Sequence, residues 1–296
     1  MLYLLSAGLF LALSFIFGLF WGSFLNVVAD RLSRDEGFVK SRSYCESCKT
    51  TLNVKDLVPL FSYLSTKGYC RYCNVSLSYY YPISELLSGL MCAGLVYMFR
   101  DSLTVVTTIV ALVYYFLFFS IYLAITLADL KYTLIPNKLV LWGLITVLSY
   151  RVLDTYIYLS NIYSQLHTSA FGPYLYKAGF FHTRLYSEFT DFGLDALTGL
   201  GISAFFLLLI ILTKGKGMGG GDVKLVFLIG LFNGFPNALV AIVFGFMLGA
   251  FISSILLLLR IKSFKDAIPF GPFLILGSLL SWLYGTSFLN WYLNFL

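Results

Sequence analysis

Two aspartates stand where long apolar runs break into polar loops: Asp129 in LADLKYTLIPN and Asp222 in KGKGMGGGDVKL. An ionised carboxylate is expensive to keep at a bilayer boundary. Two carboxyl groups about 3 Å apart cannot both ionise cheaply, so they share a proton. One then acts as base on a water while the other, protonated, polarises the carbonyl under attack, which is aspartyl-protease chemistry. Such a pair titrates as a unit. Gly219 and Gly221 lead into Asp222, and glycine there permits backbone conformations closed to other residues and close approach by a peptide. Ile135-Pro136-Asn137 follows Asp129, with the proline suited to the first turn of the next helix. Each aspartate carries a lysine two residues on. Lys131 and Lys224 either face the pair and favour its ionisation or mark the lipid headgroup level.

Cys45-x-x-Cys48 and Cys70-x-x-Cys73, with 21 residues between them, have the spacing of two knuckles closing on one tetrahedral Zn²⁺. Four thiolates fill the shell and leave no position for an activated water, so the metal is expected to be structural. It would hold together a polar loop too small to build its own core. Disulfides are the competing arrangement, and persistent ones are rare in a reducing cytosol. Cys92 is expected to be a small buried apolar residue.

The elements that must position these groups are membrane helices. Of 296 residues 59% are hydrophobic and 11% charged, with mean hydropathy +0.85, more apolar surface than a soluble domain could hide. Eight apolar segments are expected, at 2–28, 82–99, 102–128, 138–153, 194–213, 223–235, 237–259 and 269–292. The fold class is therefore an all-α polytopic membrane protein with about eight transmembrane helices and a small cytoplasmic four-cysteine zinc-binding insert. The first segment has no Lys or Arg before Arg31 and is too long for the centre of a cleaved export signal, so it is expected to stay as a helix.

With the N-terminus outside, 16 of the 20 Lys and Arg residues fall on the cytoplasmic face, leaving Arg100, Arg151, Lys177 and Arg184 outside. That orientation brings Asp129, Asp222 and the cysteines to the cytoplasmic side. The net charge of +6 is explained by basic loops beside anionic lipid and requires no nucleic acid. Residues 154–193 form an external, aromatic-rich insert that either lies in the outer interface or docks a partner. His167 and His182 belong to it, away from the proposed chemistry.

In this setting the chain resembles the bacterial prepilin peptidases, the type IV leader peptidase family of G-x-G-D aspartyl proteases. Besides the two aspartate loops, the resemblance rests on GSFLNVVADRL (22–32), the four cysteines, Tyr81-Pro82 with Glu85, and Pro269-Phe270-Gly271-Pro272-Phe273. It implies an inner-membrane endopeptidase that removes the basic leader of type IV prepilins or pseudopilins after a glycine. It also implies N-methylation of the new N-terminus with S-adenosylmethionine, assigned to residues 1–81, with 82–296 as the peptidase core. No soluble-type Gly-rich cofactor fingerprint supports the methyl donor independently. Asn26, Arg31 and Glu85 are either functional polar groups or helix anchors.

Two other classes fit the same composition. A polytopic transporter would use the boundary carboxylates as proton or ion sites, though usually mid-helix and with internal repeats. A zinc-stabilised membrane scaffold would have no catalysis at all.

Overall fold

A computed structural model describes residues 2–37, 42–100, 105–215, 218–263 and 268–295. Among these residues no strand forms, and two compact units appear, residues 1–132 and 133–296. The first holds α1 (Leu2–Ser33), α2 (Phe61–Ser65), α3 (Tyr80–Phe99) and α4 (Val106–Tyr132), with a 3₁₀ turn at Val54–Asp56. The second holds α5 (Asn137–Thr168), α6 (Gly172–Lys177), α7 (Phe180–Leu212), α8 (Gly220–Asn233), α9 (Asn237–Leu258) and α10 (Gly271–Leu293).

Among the described residues seven helices, α1, α3, α4, α5, α7, α9 and α10, are long and apolar enough to cross a membrane. The sixth expected segment folds as α8, whose 14 residues rise about 21 Å at 1.5 Å each, short of a hydrocarbon core of about 30 Å.

In the first unit, α3 runs antiparallel to α1 at very close range. A Cβ added at Gly18 would come within 2.6 Å of the Ser88 carbonyl oxygen, and one at Gly22 within 2.8 Å of Glu85 Cα. Lipid tails give no hydrophobic drive for helix association, so small residues that let backbones touch supply the van der Waals contact instead. Parallel to α1 lies α4, joined to it by the Trp21 indole N–H donating to Ser120 Oγ at 2.8 Å.

The second unit repeats this device. Ser203 Oγ of α7 donates to the Val223 carbonyl of α8 at 3.2 Å, and Gly199 faces Phe227 in the same antiparallel pair. Gly143 of α5 admits the Leu228 side chain. At the far end of α8 the buried Asp195 carboxylate accepts the Phe235 N–H at 3.0 Å and pairs with Arg151, fixing the turn into α9. In the α9–α10 pair, Gly245 packs on Leu274 and Gly249 on Phe270 and Phe273.

The expected spans at 138–153 and 194–213 are much longer in the structure. Residues 154–168 contain neither glycine nor proline, so nothing stops α5 before Thr168. The turns fall instead at Gly172-Pro173 around α6 and at Gly179, whose φ of +82° suits glycine. The aromatic insert is thus two helix extensions and a short helix. Tyr163, His167, Tyr176 and Phe181 cluster inside it, with Tyr163 and His167 ring centroids 4.4 Å apart. Phe171, Tyr174, Tyr186 and Phe189 are exposed.

Candidate active site and metal centre

Asp129 occupies the last turn of α4 and is 5% exposed. Asp222 is the third residue of α8 and is 8% exposed. Its carboxylate accepts the Gly219 N–H at 3.2 Å, satisfying a backbone donor at a helix start, where the dipole also favours negative charge. Asp129 belongs to the first unit and Asp222 to the second.

The glycines before Asp222 do not take the unusual backbone conformations expected of them. Gly219 is extended, with φ −87° and ψ 153°, and Gly221 is helical. Space is the reason at Gly221: an added Cβ would lie 3.0 Å from Ile135 Cβ, whereas at Gly219 the nearest atom is 3.9 Å away. Pro136 sits immediately before α5, in extended backbone, and its carbonyl accepts the Leu139 N–H at 3.1 Å. Asn137 opens the helix, and its side-chain oxygen accepts Lys224 Nζ at 2.7 Å. The I-P-N and G-x-G-D-x-K segments are therefore bound to one another twice.

A helix turns about 100° per residue, so a lysine two positions after an aspartate projects from the opposite face. Accordingly Lys131 turns to Asp30, Glu46 and Tyr81, and Lys224 turns to Asn137. Each lysine is a fastening between segments, a role that neither expectation named.

Cys45, Cys48, Cys70 and Cys73 come together with all four sulfurs within 4.8 Å of one another and no disulfide among them. Cys45 and Cys73 Sγ are 4.0 Å apart. Bonds of about 2.3 Å to a tetrahedral centre give sulfur–sulfur edges near 3.8 Å, so the cluster is of a size to hold a metal ion.

The two knuckles are conformational copies. The Cys45 N–H donates to the Thr50 carbonyl at 3.0 Å and the Cys70 N–H to the Val75 carbonyl at 2.8 Å. The residue after each second cysteine, Lys49 or Asn74, has a left-handed φ of 58° or 55°. Hydrogen bonds from the Thr50 side chain and backbone hold the Cys48 thiol down to about 6, favouring the thiolate that ligates metal. Cys92 is buried in α3, as expected.

Polar groups fasten this insert to the membrane helices. The Glu85 carboxylate, buried on α3, accepts the Leu60 N–H at 2.8 Å where the chain turns into α2. Arg31 donates to the Arg42 carbonyl at 3.0 Å, while Ser84 of α3 donates to the Asn26 side-chain oxygen of α1 at 2.9 Å, tying those two helices to each other. Sequence reasoning missed Asp30 and Glu46. The signal for both was a carboxylate inside a motif, GSFLNVVADRL or Cys45-x-x-Cys48, with no role assigned to it. Partial burial works against the ionised form of Glu46, but the hydrogen bond and charge of Lys131, with Arg34, outweigh it and hold the carboxyl below its usual range.

The fold and site define a polytopic helical membrane protein with two buried carboxyls at helix ends and a four-cysteine cluster that could hold a metal ion. Residues 16–99 match the Bacterial Peptidase A24 N-terminal domain and residues 116–254 match the Type IV leader peptidase family. Over these residues the chain is similar to the type IV leader peptidase family and to its bacterial N-terminal domain. It is 28% identical over 284 residues to the prepilin leader peptidase/N-methyltransferase of Bacillus subtilis, covering 96% of this chain and 98% of that one. Identity to the protein of the same name from Aeromonas hydrophila is 29% over 316 residues, covering 97% and 96%. For the Pseudomonas aeruginosa protein it is 26% over 310 residues, covering 97% and 94%. No solved structure matches the chain at a significant level.

Proposed function

We propose that the protein is a membrane-embedded aspartyl endopeptidase with Asp129 and Asp222 as its catalytic pair. It removes the basic leader of type IV prepilins or pseudopilins at the cytoplasmic face of the bacterial inner membrane, cutting after a glycine. The new N-terminus is then methylated with S-adenosylmethionine. That second step rests on the names of the relatives, with the N-terminal region, residues 1–81, as its seat.

One observation carries the protease reading: within the matched residues 116–254, α4 ends and α8 begins on a buried aspartate. Only residues 133–136 separate α4 from Asn137, and Asn137 holds Lys224, two residues beyond Asp222. In the mechanism the paired carboxyls share a proton, one taking a proton from the attacking water and the other donating a hydrogen bond to the scissile carbonyl. A precursor with a basic cytoplasmic leader and a single membrane helix presents its leader–helix junction at this depth, and a glycine there lets the strand extend into a narrow site. The metal is Zn²⁺, with Cys45, Cys48, Cys70 and Cys73 as a closed structural shell.

Co-expression with a prepilin, read by mass spectrometry, tests both activities. Wild type yields a precursor cut after glycine and carrying one added methyl group. Asp129→Asn or Asp222→Asn inserts in the membrane and leaves the precursor whole. Cleavage at the wild-type rate by either variant would sink the dyad, and a precursor left whole by wild type would return the transporter or scaffold readings.

A further inference from the structure

Two helices, α1 and α3, and the cysteine insert converge on the last turn of α4. Lys131 Nζ donates to the two oxygens of Asp30 on α1 at 2.9 and 3.0 Å, to Glu46 Oε1 at 3.0 Å and to Tyr81 Oη at 3.1 Å. The rings of Tyr80, Tyr81 and Tyr132 stand 5.9, 5.3 and 5.4 Å from the same ammonium. Tyr80 at the start of α3 donates to the Leu127 carbonyl at 2.8 Å. Arg34 binds both Tyr132 and Glu46. Leu127 and Lys131 bracket Asp129 at two residues on either side.

Glu46 lies inside the first knuckle, between Cys45 and Cys48. An isolated exposed ion pair contributes little. Here the Lys131 and Asp30 side chains are 23% and 16% exposed, and several hydrogen bonds share one ammonium, so the network acts as a unit. A small four-cysteine knuckle without a core of its own depends on metal to hold its shape. Metal on Cys45 and Cys48 therefore fixes where Glu46 stands, and Glu46 adds the insert's own hold on Lys131 to those of Asp30 and Tyr81.

We propose that Lys131 is a positioning residue tying the metal knuckle to the last turn of α4, so that Asp129 is held in catalytic register only while the four-cysteine cluster is loaded. The proposal rests on the protease reading above. It makes the structural metal a control on proteolysis at a distance, with Glu46 as the link. A helix end left to fray would misplace Asp129, and errors of about 1 Å in a catalytic group cost on the order of 10²-fold in rate.

Hydrogen–deuterium exchange over residues 125–132, in full-length protein with and without zinc, tests the link without using activity. Metal removal should speed exchange there in wild type. Glu46→Gln keeps all four thiols and should retain one zinc per chain, yet show the fast exchange of metal-free wild type. Its cleavage should fall on the order of tenfold, with zinc chelation adding no more than about twofold. Lys131→Met should behave alike, and Lys131→Arg should restore most of the rate. Exchange that ignores metal loading in wild type, or equal slowing of wild type and Glu46→Gln by chelation, would overturn the proposal. Should Glu46→Gln fail to accumulate, the wild-type exchange pair and Lys131→Arg still decide. Asp129→Asn separates the two ideas: cleavage by it sinks the protease reading, while its exchange response to metal still reports on the link.

Discussion

Lys224 on the second turn of α8 reaches the side chain of Asn137 at the start of α5 with a bond of 2.7 Å. Together with the fit of Gly221 on Ile135, this bond holds two segments more than 80 residues apart in sequence at one level of the second unit.

Removing that bond tests how much the register matters. Asn137→Ala leaves Lys224 free to reach water, so folding stability should fall by about 1 kcal/mol or less. Precursor cleavage should fall more than stability, because the start of α8 carries Asp222. Thermal unfolding in detergent beside a cleavage time course checks both numbers, and an unchanged rate would remove the register argument.

Gly221→Ala and Gly219→Ala should separate sharply. A methyl at Gly221 must displace Ile135, an overpacking change that costs about 1–3 kcal/mol. At Gly219, with extended backbone and no atom closer than 3.9 Å, the same change should stay within about 0.5 kcal/mol. Melting temperatures of the two variants provide the comparison; equal losses would contradict the packing account.

Asp195→Ala should damage the fold while sparing the chemistry. It strips the Phe235 N–H of its acceptor and leaves Arg151 without its partner, a loss on the order of 1–3 kcal/mol. Asp195→Asn keeps an acceptor for the N–H and should lose less. Abundance in membranes should drop in that order, while cleavage per folded molecule stays near wild type.

Much of this architecture was open to inspection before any folding was considered. Apolar runs of about membrane length become α1, α3, α4, α5, α7, α9 and α10, because burying backbone polar groups in lipid leaves a helix as the answer for such runs. The cysteine spacing announced the cluster of four sulfurs, since two short knuckles are what a tetrahedral thiolate site draws on. Asp129 and Asp222 stood out because a carboxylate at the edge of an apolar run is costly.

Other features had no local signal. α5 and α7 run on through the aromatic insert because no residue breaks them, and a hydropathy reading sees only where the apolar character ends. The glycine before Asp222 looked like a matter of backbone freedom; only the approach of Ile135 shows that it is a matter of room.

What the chain order alone determined is the set of helices, the cluster of thiols and the two acidic helix ends, all of which follow from composition and short spacings. Tertiary structure decided where the long polar side chains go. Lys131 and Lys224 share one local pattern, D-x-K, yet one closes on Asp30 and Glu46 and the other on Asn137. A flexible lysine carries no record of its partner in its neighbours along the chain; the partner is whichever acceptor the packed helices bring within about 3 Å.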